Sequence, residues 1–128
     1  MKNIRTRIAL IAALVTFTLT CAAPPASAQA YPNKPVRVIV QYPPGGTPDI
    51  YGRIMSQELS KVWGQSVVVE NRTGASGTIG TDMVAKATPD GYTLLFASDA
   101  PITIVPNLMS KLPYDPVKDF APVINVYE

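Results

Sequence analysis

The sequence predicts an α/β fold with a parallel-sheet core in the order β-α-β-α-β, and three observations predict it. Residues 36–40 (VRVIV), 67–69 (VVV) and 92–97 (YTLLFA) are short runs apolar at nearly every position. Such runs suit strands covered on both faces, as parallel strands are, better than half-exposed alternating ones. Each run ends in a loop of small residues, and helix-like apolar stripes follow the first two. Crossovers between parallel strands are right-handed, so all three loops fall on the carboxyl edge of the sheet, where open α/β folds bind ligands.

The first strand gives way to Pro43 and Pro44, which lack the N–H a ladder needs, and then to Gly45-Gly46, which reach positive φ without strain. Thr47 reads as an N-cap, Pro48 as an early helical position and Asp49 as negative charge in the first turn. Free N–H groups beside two residues without side chains make a cradle for a carboxylate or phosphate, although an ordinary βα turn uses the same residues. Ile50, Ile54, Met55, Leu59, Val62 and Trp63 form the stripe of a helix ending at Gly64. Tyr51 and Trp63 fall along that helix and read as packing residues rather than stacking platforms.

After the second strand, Gly74, Gly77 and Gly80 are spaced G-x-x-G-x-x-G, which is not the dinucleotide fingerprint, so no cofactor is expected. Arg72 reads as a residue fixing its loop beside Glu70 and Asn71, with a ligand carboxylate as the alternative partner. Ile79, Met83, Val84 and Ala87 stripe a short second helix, and Pro89-Asp90-Gly91 makes a turn. Ser98-Asp99-Ala100-Pro101 opens the third loop. Residues 102–109 form a helical stretch interrupted by Pro106, residues 111–120 a surface connection, and residues 123–126 the start of another strand.

Lys2, Arg5 and Arg7 precede a twelve-residue apolar run, residues 8–19, and then CAAPPASAQA. The run is shorter than the roughly 20 residues of a membrane span, and Ala26, Ala28 and Ala30 fit a cleavage site, so residues 1–30 read as a secretory signal peptide. Thr18 and Thr20 make Cys21 a poor lipidation site. The mature chain then holds eight basic and nine acidic residues, a net charge of −1, with its cations scattered singly. No nucleic-acid face and no membrane insertion after cleavage are expected. Histidine is absent and Cys21 is the one cysteine, which excludes a zinc site, a His-based triad, a thiol nucleophile and a disulfide within the mature chain. No metal and no enzyme activity are expected.

Five blocks carry a family resemblance: YPNKPVRVIV (31–40), PPGGTPDIYGR (43–53), GQSVVVENRTGASGTIG (64–80), VAKATPDGYTLL (84–95) and KLPYDPVKDFAPV (111–123). In this order they resemble the N-terminal portion of the substrate-binding proteins of the tripartite tricarboxylate transporter family, the TctC-like, Bug-type periplasmic solute receptors. The resemblance implies a type II periplasmic binding protein of two α/β lobes closing on a small mono- or dicarboxylate, delivered in the periplasm to the transporter's membrane subunits. Members are several-fold longer, so residues 31–128 are expected to be the first part of lobe one and the chain a fragment. Carried over, the ligand-binding positions are Gly45, Gly46, Thr47 and Asp49, then Ala75, Ser76 and Gly77, then Ser98. Asp99-Ala100-Pro101-Ile102 departs from the common pattern, and Asp99 would repel a second carboxylate. An exported sensory module of the same fold, signalling to a membrane sensor, is the alternative; an α/β enzyme half lacking its catalytic groups is a third reading.

Overall fold

A computed structural model describes residues 30–126; the expected signal peptide, apart from Ala30, and Cys21 lie outside the described residues. Three parallel strands form one sheet in the order β2-β1-β3, with β1 at Val36–Val40, β2 at Val67–Asn71 and β3 at Thr93–Phe96. Val36 pairs with Val67 and Val40 with Asn71 on one side; Arg37 pairs with Thr93 and Val40 with Phe96 on the other. As the central strand, β1 is buried almost throughout, which is why it reads as an unbroken β-branched run. Its one charge, Arg37, reaches sideways to β2, giving Glu70 a two-pronged pair of hydrogen bonds at 2.7 and 2.9 Å.

Helix α1, Thr47–Trp63, connects β1 to β2, and α2, Thr78–Ala85, carries the chain back over β1 to β3. The two crossovers run in opposite directions across the sheet, so right-handedness places the helices on opposite faces. Val38, Val40 and Phe96 form the core beneath α1, with Met55, Val67, Val69 and Leu94 packed around them. On the other face Gln41 lies against Gly77 and Gly80 of the α2 segment.

Both helices depart from the expected apolar stripe. In α1 the buried positions are Asp49, Gly52 and Ser56, whereas Ile50, Ile54 and Val62 stand 51, 54 and 80% exposed. Gly52 is the cause: a Cβ there would lie 3.1 Å from Val40 Cγ2, so the helix meets the sheet at its small residues while Val40 and Phe96 fill the space. In α2 the buried residues are Thr78, Gly80 and Thr81, and Ile79 is exposed. A Cβ on Gly80 would come 2.7 Å from the Arg72 carbonyl oxygen, a backbone approach only glycine allows. Val68, expected inside, is 44% exposed because it lies on the face where α2 packs over β1 and β3 rather than over β2.

Gly64 closes α1 in the left-handed conformation, as expected, its N–H donating to Ser60 O at 3.1 Å. Trp63 packs edge-on against Tyr31 at 6.0 Å, and Tyr31 against Tyr92 at 5.1 Å. This cluster sits where β1 and β3 begin, so Trp63 is a packing residue at the edge opposite the three loops. Beyond β3, a wide π-helical turn at Ala100–Ile104 runs directly into a short helix α3, Val105–Leu108. Pro106 lies in the first turn of α3, where its missing N–H costs nothing. The connection at 111–120 is irregular, as expected, but anchored: Tyr114 is buried and donates to Pro101 O at 2.6 Å. Residues 123–126 form no strand; Val123 and Ile124 are largely exposed, with no strand pairing to them among the described residues.

Candidate functional site

The loop after β1 is built around a carboxylate rather than a hydroxyl cap. Gly46, not Thr47, occupies the N-cap position of α1, and Thr47 is the exposed first helical residue with no side-chain cap bond. Asp49 takes over: buried two residues further on, it reaches back so that Oδ2 accepts the Gly45 N–H at 2.9 Å, a variant of the capping box. Gly45 itself has φ 85°, the left-handed conformation that requires glycine here. Gly46 has φ −76°, and the N–H groups of the first helical turn have no intrahelical acceptor. Gly46 N–H turns to the Pro43 carbonyl at 3.5 Å, and with Pro48 contributing none, the donors of the first turn left without a helical acceptor are those of Thr47 and Asp49.

Asp49 is the hub of a closed network. Its Oδ2 also accepts from Arg53 Nε at 3.1 Å, while Oδ1 accepts from Asn71 Nδ2 at 2.9 Å and faces Arg53 Nη2 at 3.0 Å. Asn71, the last residue of β2, donates to the Tyr42 carbonyl at 3.0 Å and accepts from Arg53 Nη2 at 3.0 Å. The first glycine loop, α1 and the end of β2 are thereby held together through one carboxylate. The Arg53 hydrogen bond, followed by those from Gly45 and Asn71, lowers the Asp49 pKa from the ordinary 3.8 to about 2. Arg37, with help from Arg72, lowers Glu70 from 4.5 to about 2. A depressed acid contributes stability that is complete above its unfolded value and lost as pH falls through its folded one. Melting temperature is therefore expected to hold down to about pH 5 and to fall steeply toward pH 2. Asp49→Asn flattens that slope in a series of melts; an unchanged slope would show that the network carries no pH-dependent stability.

The second loop is a left-handed turn. Gly74, Ala75, Ser76 and Gly77 have φ 127, 46, 55 and 87°, four successive positive values of which two fall on residues with side chains. Such residues are costly, by about 1–2 kcal/mol each, and persist only where their surroundings over-determine them. Here Gly77 N–H donates to Gly74 O at 2.9 Å, Thr78 Oγ1 donates to Ala75 O, and Thr81 Oγ1 to Gly77 O at 2.8 Å. Ala75 and Ser76 are exposed at the loop tip and Gly77 is buried beneath them. Arg72 donates to Glu70 Oε2 at 3.0 Å, the loop-fixing role.

The third loop faces the first. An open depression of about 480 Å³ lies between them, lined by Tyr42, Pro43, Pro44, Gly46 and Pro48 on one side and Ser98 and Asp99 on the other. Ser98 Oγ donates to the Tyr42 phenol oxygen across it at 3.0 Å. With strand order β2-β1-β3, the loops after β1 and β3 part at the point where successive connections go opposite ways, the topological switch point. Of the ligand-binding positions expected from sequence, Gly46 and Ser98 line this crevice, and Asp99, expected to repel a second carboxylate, lines it too. Gly45 and Asp49 stand behind it as its frame and Thr47 is exposed at its rim, while Ala75, Ser76 and Gly77 lie on the neighbouring turn, with Gly77 against Pro101. Sequence reasoning missed Tyr42, Asn71 and Arg53; their signal lay in the ends of the strands and one turn along α1, where polar side chains had no stated partner.

Residues 51–128, more than half of the chain, match the model of the tripartite tricarboxylate transporter family receptor. Protein BugT of Bordetella pertussis is 45% identical over 116 residues, covering 89% of this chain and 36% of BugT. A Cupriavidus necator protein encoded in the gbd 5′ region is 40% identical, again over 89% of this chain and 35% of its own. Among solved structures, that of a periplasmic transporter is 48% identical with TM-score 0.68, over 70% of this chain and 30% of its own. MatC from Rhodopseudomonas palustris, with bound malate, is 38% identical with TM-score 0.63 over 73% of this chain and 32% of its own. Rpa4515 from R. palustris, with adipate, is 35% identical with TM-score 0.65 over 67% of this chain and 29% of its own. The α/β fold is thus that of periplasmic binding proteins, and the chain spans about a third of the length of the relatives it matches. With a family model matched over more than half its length and relatives this similar, the chain belongs to the tripartite tricarboxylate transporter receptor family.

Proposed function

We propose that this chain is the opening part of the first lobe of a two-lobed periplasmic receptor, exported by residues 1–30, that binds a small mono- or dicarboxylate without chemical turnover. It passes that ligand to the membrane subunits of a tripartite tricarboxylate transporter. One observation carries the reading: the crevice at the switch point is floored by Gly46, where the first turn of α1 presents backbone N–H groups and the helix dipole beside no side chain. Gly45, Gly46, Thr47, Ala75, Ser76, Gly77 and Ser98 supply small surfaces, amides and hydroxyls to the carboxylate. The dicarboxylates held by MatC and Rpa4515 support that ligand class. Described residues include no helix long and apolar enough to cross a membrane.

The test uses a completed receptor, this chain continued by the remaining sequence of BugT, in thermal shifts against a carboxylate panel. A ligand that binds only the folded state raises Tm progressively with concentration. Dicarboxylates are expected to raise it, and a panel without a single shift, alongside a shift from another ligand class, contradicts the proposal. In the same receptor Asp49 acts through the turn it holds, since both its oxygens are engaged. Asp49→Asn therefore weakens every carboxylate by a common factor, on the order of tenfold, together with a lower Tm. A changed ranking among carboxylates would instead place Asp49 on the ligand.

A further inference from the structure

Gln41 is the polar residue of the carboxyl edge that the binding scheme does not use. It follows β1 immediately and is 1% exposed, and neither Nε2 nor Oε1 has a hydrogen-bond partner among the described residues. A primary amide buried without any partner would lose the free energy of several hydrogen bonds, so one in this position is expected to be satisfied by something other than the surrounding protein groups. The side chain points to the α2 face of the sheet, opposite Val40. Its stem lies on glycines: a Cβ at Gly77 would come 3.1 Å from Gln41 Cγ, and one at Gly80 3.2 Å from Gln41 Cβ. The same position on Gly77 would be 3.4 Å from Pro101 Cγ, and Pro101 is itself fully buried. Three loops therefore meet around one side chain: its own, the left-handed turn through Gly77, and the third loop through Pro101.

The enclosure is not apolar. Gly77 O already accepts from the buried Thr81 hydroxyl and Pro101 O from the buried Tyr114 phenol, and each carbonyl keeps a second lone pair. An amide that offers two donors and an acceptor, buried among residues whose carbonyls keep spare capacity, is the kind of polar site at which buried water is found. A role in packing alone would be served as well by methionine, which has nearly the same length and no polar group to satisfy.

We infer that Gln41 is a positioning residue whose buried amide holds a single water where the three loops meet, fixing the left-handed turn and the third loop against the end of β1. The spacing of Gly77 and Gly80 is then the bed for the Gln41 stem. The consequence for ligand affinity rests on the receptor reading above; the water does not.

The test is made on the full chain labelled with 15N-glutamine. Expected are cross-peaks from the Gln41 side-chain NH2 to a long-lived water in paired NOE and ROE spectra, and slow exchange of those protons. Gln41→Met is expected to lower Tm by about 5 °C, because a satisfied amide and its water are lost together. A Gln41 amide without water cross-peaks overturns the inference even if the variant does not fold, and so does a Gln41→Met chain that melts higher than wild type. In the completed receptor Gln41→Met weakens dicarboxylates on the order of tenfold; unchanged affinity overturns the positioning role. A wild-type receptor that binds no carboxylate but shows the water cross-peaks would remove the proposed function and leave the water in place.

Discussion

Gly46→Val abolishes carboxylate binding by the completed receptor while leaving its circular dichroism spectrum nearly unchanged. The two glycines of the first loop do different work, and only one is needed for the fold. Gly45, with φ 85°, is required by the turn. Gly46, with φ −76°, has a conformation any residue adopts, and a Cβ there would make ordinary contacts, 3.5 Å to Pro43 O and 3.8 Å to Pro48 Cδ. A branched side chain at this position therefore costs the fold little and stands in the crevice, over the N–H groups that are to meet the ligand. Loss of close approach to several charge-assisted donors weakens binding at least a hundredfold, by the order of magnitude of two such bonds. Isothermal titration of wild type and variant measures it, and unaltered affinity with an unaltered spectrum would remove the main-chain cradle.

Made alone, residues 31–128 bind no carboxylate measurably, whereas the completed receptor binds one. The depression between the first and third loops is open to solvent. An exposed amide exchanges one hydrogen bond to water for one to ligand and gains little. Closure of an opposing wall excludes that water and adds contacts, which is how hinged receptors acquire affinity. Calorimetry of the lone chain against malate and adipate checks this; micromolar binding would mean that the crevice is a complete site without a second wall.

Much of the fold was legible because the central strand of a parallel sheet must be apolar on both faces, and β1 announces itself in that way. The glycine and proline punctuation likewise marked each carboxyl-edge loop. Helix orientation was not legible. The periodicity of Ile50, Ile54 and Val62 is that of a buried stripe, yet Gly52 and Gly80 draw the helices so close that small residues face the sheet and the large ones turn outward. A hydrophobicity pattern records side chains, and here the deciding contact is made where a side chain is missing. The same limit applies to the site. Gly46 and Ser98 could be read from their loops, whereas the Asp49–Arg53–Asn71 network joins residues from three elements whose meeting depends on the sheet order. Asp49 illustrates the difference: by sequence it is a charge at a helix start and an expected ligand position, and in the fold both its oxygens are engaged in holding the loop.

The most direct test of the main-chain cradle is a structure of the completed receptor with a bound dicarboxylate. One carboxylate is expected at the β1/β3 switch point, its oxygens about 2.7–3.1 Å from backbone N–H groups at the start of α1, with the Asp49 carboxylate still turned inward to Gly45, Arg53 and Asn71. A ligand held chiefly by side-chain cations, or seated at the opposite edge of the sheet, where Lys34 and Lys86 line a second depression with Asp90 and Tyr92, would contradict it.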